Sequence, residues 1–409
     1  MAFPYKGCKG PYKSGLRIMA EDSVYLDYQA STPLDPRVRE AMLVWFGEKF
    51  GNPHSNDHVY GWAAEEAVET ARTQVASLIG AKPREIIFTS GATESNNIAV
   101  KGVARALRGK RNHVVTIVTE HKCVLESCRR LEREGTEVTY LPVERNGLLD
   151  LNRLDDALDE QTALVSIMAA NNEIGVIQPM ADIAALCEKV GARLHSDAAQ
   201  AVAKIPINVN ELGLDLLSIS SHKIYGPMGV GALYIRQKPK VPIEPLMDGG
   251  GQERGLRSGT VPVPLAVGFG ACCSIAADEL PNESKRILSL RTRFLGRIKR
   301  AINDTHLHGD LEQRIPGNLN LSFANIDAQD LMMRLCRVSV STGSACSTAT
   351  VQASHVLQSL GVEQHLLHNA IRIGFGRFTT EAEVDFAVEE IARAVTSLRQ
   401  STQVYERVG

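Results

Sequence analysis

The chain has 409 residues, 44% of them hydrophobic and 22% charged, with a formal net charge of -2. One hydrophobic core stops growing near ~250–300 residues, so two domains are expected. So small a net charge gives no field to gather nucleic acid or an anionic membrane, and no apolar run is expected to cross a bilayer, which leaves a small ligand.

Residues 1–22 carry Lys6, Lys9, Lys13 and Arg17 and two prolines but no apolar core, so they read as a disordered extension. A short organellar presequence is the alternative, and Met19 is an alternative start. Glu85 to Thr89 reads as a buried strand between the helical patterns Gly61 to Ile79 and Glu94 to Leu107. Further strands are predicted at Val114 to Val118, Val138 to Leu141, Ala163 to Met168, Arg193 to Ser196, Leu214 to Ile219 and Gly231 to Ile235. Strands alternating with helices from about residue 60 to 275 predict an α/β unit with a mainly parallel sheet. After the Gly/Pro-rich stretch Asp248 to Pro264, a helical pattern runs from Leu280 to Ile302. Strands at Asn318 to Phe323 and Val338 to Ser341 and a closing helix at Glu381 to Arg399 predict a smaller α+β unit.

The 8 cysteines form no CxxC pair and no Cys/His zinc spacing, so no metal is expected and a reducing compartment is favoured. That compartment is read as the cytoplasm, with the mitochondrial matrix as the alternative. Cysteines 123, 128, 187, 272, 273 and 336 lie in patterned or crowded segments and read as core filler. Cys346 differs, because the run Ser344-Ala345-Cys346-Ser347-Thr348 is small and hydroxylic and suits a loop that swings a thiol between substrate and acceptor.

Four other positions invite chemistry. In Ser220-Ser221-His222-Lys223, a lysine follows a strand beside hydroxyls and a histidine, where it can form a Schiff base; a solvated loop lysine fits this stretch equally well. Asp197 ends the strand Arg193 to Ser196, at the sheet edge where α/β proteins bind ligands, although capping the next helix would serve as well. A carboxylate there can keep the ring nitrogen of pyridoxal phosphate protonated. Thr89-Ser90-Gly91-Ala92-Thr93 turns from strand into helix, so its N–H groups, the helix dipole and the Thr93 hydroxyl suit a phosphate. His121 follows a strand and can stack on a planar cofactor or stay structural.

Together the motifs LDYQASTP, FTSGATESNN, TEHKCVLESC, NNEIG, HSDAAQA, SISSHKIYGP, GGGQERGLRSGT, STGSACS and IRIGFGRFTT resemble the group I cysteine desulfurases of the NifS/IscS type. These belong to the aminotransferase class V family of fold type I pyridoxal enzymes, and the resemblance spans Tyr25 to about Leu398. It implies a large cofactor-binding domain at 33–278 with a seven-stranded sheet. A smaller domain would comprise 23–32 and 279–409 and carry the cysteine loop.

The resemblance also implies roles. Lys223 binds pyridoxal 5'-phosphate covalently, Asp197 pairs with the ring nitrogen, His121 stacks on the ring, and Asn172 and Gln200 bond the ring hydroxyl. Ala92, Thr93, Ser220 and His222 hold the phosphate, and Thr260 reaches it from the second subunit of a homodimer. Arg372, with Asn172, clamps the carboxylate of L-cysteine. Cys346 takes the sulfur as a persulfide for acceptors such as an iron–sulfur scaffold, tRNA thiolation proteins or DNA phosphorothioation machinery. Met228, where relatives carry a basic residue, Ile326 to Asp330, and the end at Gly409 depart from the family pattern and point to altered partner docking.

Overall fold

The structure, a computed structural model, describes residues 23–342 and 353–408, the stretch 402–408 as backbone only. The expected N-terminal extension and the Cys346 loop lie outside the described residues.

The first half of the chain supplies β1 (Val24–Tyr25), α1 (Pro36–Leu43), α2 (Val59–Leu78), β2 (Ile86–Thr89), α3 (Ala92–Leu107), β3 (His113–Ile117) and α4 (Lys122–Arg133). Then come β4 (Glu137–Leu141), α5 (Leu151–Ala157), β5 (Thr162–Ser166), α6 (Met180–Val190), β6 (Arg193–Asp197), β7 (Leu216–Ser220), β8 (Gly231–Ile235) and α7 (Val263–Ala301). Strands β2 to β8 form one seven-stranded sheet in the order β2-β8-β7-β6-β5-β3-β4. Only β8 runs against its neighbours, β2 and β7.

Side chains alternate across this sheet, as the period of two requires. Phe88, Val115, Val165, Leu217 and Tyr234 face the core built with α2, α6 and α7. Ile87, Val114, Leu164, Leu216 and Leu233 face the opposite layer, packed by α3 and α4. Helices on both faces bury the sheet except at its edge strand β4, which is why the inner strands read as apolar runs rather than alternating ones.

The second half adds β9 (Thr305–Leu307), β10 (Asn318–Phe323), α8 (Ala328–Arg334), β11 (Val338–Ser339), α9 (His355–Ser359), α10 (Gln364–Leu367), β12 (Ala370–Gly374) and α11 (Glu381–Val408). A three-stranded antiparallel sheet, β12-β10-β9, packs under α11 and the C-terminal part of α7 around Phe294, Leu321, Ile371 and Ile391. The chain's start returns here, since β1 pairs in parallel with β11 and Leu26 joins the same core.

The expected helix at Leu280 to Ile302 is the C-terminal part of a longer one. Helix α7 begins at Val263 and passes through Pro281 without ending. Its apolar N-terminal stretch is long enough by length and composition to cross a bilayer, contrary to the reading that no such run exists. The stretch has other work: Ala266, Phe269, Cys272 and Cys273 are buried in the large core.

Two contacts fasten the small sheet to the large one. Arg377 pairs with Asp35 at 2.8 Å and Glu283 at 2.9 Å while its guanidinium lies 4.2 Å above the Tyr225 ring. Glu173 lies at the second junction, where its carbonyl accepts from Asn318 at 3.2 Å and Asn320 at 3.4 Å on β10. Its carboxyl receives the Ser354 hydroxyl, which caps α9, at 2.5 Å.

Burial raises the Glu173 carboxyl from 4.5 to about 7, against the pull of Ser354 and Arg372. The folded protein therefore holds a proton that the unfolded chain releases earlier. Stability from this group is complete below pH 4.5 and is lost as pH climbs to about 7. The loss is up to about 3 kcal/mol, at ~1.4 kcal/mol per pH unit. Denaturant unfolding of wild type and Glu173→Gln across this range should show the variant's stability falling less with pH. Parallel pH curves would refute the assignment.

Candidate active site

The carboxyl ends of β7, β6, β5 and β3, and of β2 across the intervening β8, supply the candidate residues, at the edge where open α/β sheets bind ligands. Strand β2 leads into Gly91 and α3, β3 leads to His121, β5 to Asn172, β6 ends on Asp197, and β7 ends on Ser220, just before His222 and Lys223. Register brings two of these ends together: Gly231 of β8 lies opposite both Thr89 and Ser220. A Cβ on Gly231 would meet Gly91 Cα at 2.6 Å, so this close approach of backbones needs glycine.

The result is an anion cradle at the start of α3. Gly91 adopts φ 148, a conformation that glycine tolerates, and opens the turn ahead of Ala92 and the exposed Thr93. The free N–H groups of the first helical turn carry the positive end of the dipole. Ser220 is buried beside it. Burial, then the Lys223 and Lys204 charges, lowers His222 to about 4, so its imidazole is a neutral donor at neutral pH. Thr260 is exposed, and its loop is drawn toward α3 by the Arg257–Glu94 pair at 2.8 Å.

Lys223 points its ammonium at the N-terminal segment, donating to the carbonyls of Gln29 at 2.6 Å and Ala30 at 2.7 Å. The Gln200 amide donates to the same Gln29 carbonyl at 2.9 Å. Asp197 makes the capping contact that the sequence allowed and one more. Its Oδ1 receives the Ala199 N–H at 2.9 Å, capping the following turn, and its Oδ2 receives the Asn96 amide at 2.6 Å. His121 caps α4 with Nδ1, which accepts from the Cys123 N–H at 3.3 Å.

Arg372 on β12 is almost fully buried. It donates through Nη2 to Asp27 at 2.8 Å and through Nη1 to the Asn172 carbonyl at 3.0 Å. Its Nε–H is buried without a partner among the described residues. A buried unpaired donor on a held guanidinium suits an incoming carboxylate. Cys346 lies outside the described residues.

Asp27, the Gln29 carbonyl, Asn96 and Glu120 escaped the sequence reading. Asn96 is fully buried on the inner face of α3, three residues after Thr93, and only that apolar face could have flagged it. Glu120 is fully buried; burial, then the neighbouring Asp197 charge, holds its carboxyl well above the usual range. Cys123 does pack against the layer formed by α3 and α4, as expected of core filler, but its Sγ also lies 3.0 Å from His121 Nδ1 and 3.1 Å from Asn96 Nδ2. The core reading does suit Cys128 and Cys187, whose thiols burial raises to about 12.

An amine, a held carboxylate, a flat histidine and a helix N-terminus converge on one edge, and this donor set fits pyridoxal phosphate. The aminotransferase class-V family model matches residues 24–386. The chain is 54% identical over 383 residues to the cysteine desulfurase IscS of Rickettsia bellii, covering 94% of this chain and 93% of that protein. It resembles a solved NifS-like protein with a TM-score of 0.86 at 40% identity, covering 91% of this chain and 99% of the other. A solved SspA in complex with cysteine matches with a TM-score of 0.78 at 35% identity, covering 87% and 99% respectively. The chain belongs to the aminotransferase class-V family, in which it is a pyridoxal-phosphate-dependent cysteine desulfurase that converts L-cysteine to L-alanine.

Proposed function

We propose that Lys223, Asp197, His121, Arg372 and Cys346 divide this reaction among them. The observation that carries the reading is the placement of Asp197 at the end of β6 and of Lys223 just past the end of the neighbouring β7, with Arg372 donating to the carbonyl of Asn172 beyond β5. When bound, pyridoxal phosphate supplies a conjugated ring that stores the electron pair released at the substrate's α-carbon. Lys223 holds the cofactor, and Ala92, Thr93, Ser220 and His222 hold its phosphate. Asp197, fixed by Ala199 and Asn96, keeps a proton on the ring nitrogen, while Gln200 and Asn172 bond the ring hydroxyl. Arg372 clamps the substrate carboxylate and turns its α-hydrogen toward the Lys223 amine, which takes the proton. The Cys346 thiolate attacks the substrate sulfur. An S–S bond forms, the C–S bond breaks, its electron pair stays on carbon and is protonated, and alanine leaves a persulfide behind. Cysteine plus thiol gives alanine plus persulfide, so no outside oxidant enters.

The same reading divides the chain into a large domain at 33–278 and a small one made of 23–32 and 279–409. It places the protein in the cytoplasm, which its bacterial relatives support. An iron–sulfur scaffold is the proposed acceptor. Thr260 would complete the phosphate site of a second subunit. The case for a homodimer rests on one surface, where Phe46, Phe50, Tyr60 and Trp62 stay 64%, 72%, 52% and 53% exposed within a short stretch of chain.

Cys346→Ser should keep cofactor and cysteine binding but lower alanine release below about 1% of wild type, since a hydroxyl cannot take the sulfur. The same variant should pass no labelled sulfur to a scaffold. Alanine release at the wild-type rate would sink the assignment. Arg372→Ala should weaken kcat/KM by about 10- to 100-fold, matching the ~1.5–3 kcal/mol of a hydrogen bond to a charge, with Arg372→Lys between. Equal kcat/KM would place the carboxylate elsewhere. Light scattering should give twice the chain mass, and Phe50→Asp should shift it toward one chain. A wild-type monomer that is active at assay concentration excludes the dimer.

A further inference from the structure

Four side chains form a chain of hydrogen bonds beneath the candidate site, and their donor and acceptor roles are fixed by chemistry. Asp197 Oδ2 accepts from Asn96, which turns its amide nitrogen toward it at 2.6 Å. The second hydrogen of that nitrogen reaches Cys123 Sγ at 3.1 Å. Asn96 is fully buried, and its Oδ1 has no partner among the described residues, so no bond from them pulls the amide round. On the other side, His121 Nδ1 lies 3.0 Å from Sγ and 3.3 Å from the Cys123 N–H. A backbone N–H can only donate. Nδ1 must therefore present its lone pair, and the Cys123 S–H, whose sulfur already accepts from Asn96, points its hydrogen at that lone pair.

We infer that Cys123 is a positioning residue that holds His121 as the neutral tautomer carrying its hydrogen on Nε2. The ring then offers a proton at Nε2 while Nδ1 is kept as an acceptor by the thiol. Asp197 and His121, the groups proposed to meet the cofactor's nitrogen and face, are linked through Asn96 and Cys123, and neither turns without disturbing the other. The placement of Cys123 at the second position of α4 follows from the same geometry, because the helix cap fixes both the His121 ring and the Cys123 N–H.

The inference deepens the role proposed for His121 and is tested apart from it. Holoenzyme with 15N-labelled histidine, at a pH where the ring is neutral, reports the tautomer directly, and His121→Gln assigns the signal by its loss. Wild type should show a hydrogen-free Nδ1 and a protonated Nε2. Cys123→Ser, which keeps a donor hydrogen, should retain that pattern. Cys123→Ala, which loses the thiol at 3.0 Å but keeps the longer backbone N–H contact at 3.3 Å, should move both nitrogens part of the way toward the average of the two tautomers. A hydrogen on Nδ1 in wild type, an unchanged pattern in Cys123→Ala, or a loss in Cys123→Ser as full as in Cys123→Ala would each overturn it. Alanine formation by His121→Gln tests the other reading: full activity there would remove His121 from the reaction and leave the tautomer result standing.

Discussion

The carbonyl oxygen of Gln29 accepts from Lys223 at 2.6 Å and from Gln200 at 2.9 Å, and the geometry of the site depends on that one acceptor. Gln29 follows closely on Leu26, which is buried in the small core, while both donors stand at strand ends of the large sheet. A buried carbonyl has two lone pairs, and here both are engaged by side chains from the other body. The segment is anchored on its small-core side by the Gln29 amide, which donates to the Gly317 carbonyl at 2.9 Å. Thr32 ties the segment back to the large sheet through the His222 carbonyl at 3.0 Å. A short turn, closed by the Ala30 N–H on the Asp27 carbonyl at 2.9 Å, thereby sets how far Arg372, on the small sheet, stands from Lys223, on the large one.

Charge is managed by burial as much as by pairing. Asp197 and Glu120 lie close together under the same sheet edge, and two ionised carboxyls there would repel in a poorly solvated space. Desolvation, and then the nearby Asp197, pushes the Glu120 carboxyl well above its usual range, while Asp197 receives the Asn96 amide. On the cationic side, Lys204 is pushed well below the ordinary lysine range by burial and then by Lys223 and Arg372, and it bonds the Gln200 oxygen at 2.5 Å. That bond leaves the amide nitrogen of Gln200 as the edge turned toward Gln29. Ala203, just before it, has φ 59, a left-handed conformation that costs a non-glycine residue ~1–3 kcal/mol. Ser284 holds the Lys204 carbonyl from α7 at 2.9 Å and helps keep the turn in place.

A second ionic anchor fixes the loop that carries Arg257 and Thr260. Arg72 and Glu253, both buried, pair at 2.8 Å, and the same carboxylate receives the Phe88 N–H at 2.7 Å. Removing one partner of such a pair leaves a buried charge uncompensated, at a cost of ~3–5 kcal/mol. Glu253 and Arg254 also take left-handed conformations, φ 45 and φ 60. Strain of this kind persists where surrounding contacts over-determine it, and these contacts bind the loop to β2 next to the anion cradle.

Much of this protein was legible in its residues. Apolar runs between helical patterns predicted strands within one or two residues of β3, β5 and β7, because a sheet covered on both faces leaves a continuous apolar signature. Lys223, Asp197 and Gly91 to Thr93 stood out because each sits at a strand end, where local sequence carries both the turn and the chemistry. What local pattern could not show were contacts made between residues far apart in sequence. Asp27 meets Arg372 across 345 positions, and Asn96 meets Asp197 across 101. Cys123 looked like core filler because its neighbours on α4 are apolar; only the helix cap and the approach of α3 put its sulfur against His121. The expected helix from Leu280 included Pro281 but missed the first turns of α7 from Val263, which follow directly on a Gly/Pro-rich stretch and are helical where α7 packs along both cores. Sequence set which groups stand at the sheet edge through period and turn chemistry. Tertiary structure alone decided which of them share a hydrogen bond, because donors and acceptors from distant elements pair only after the cores bring them together.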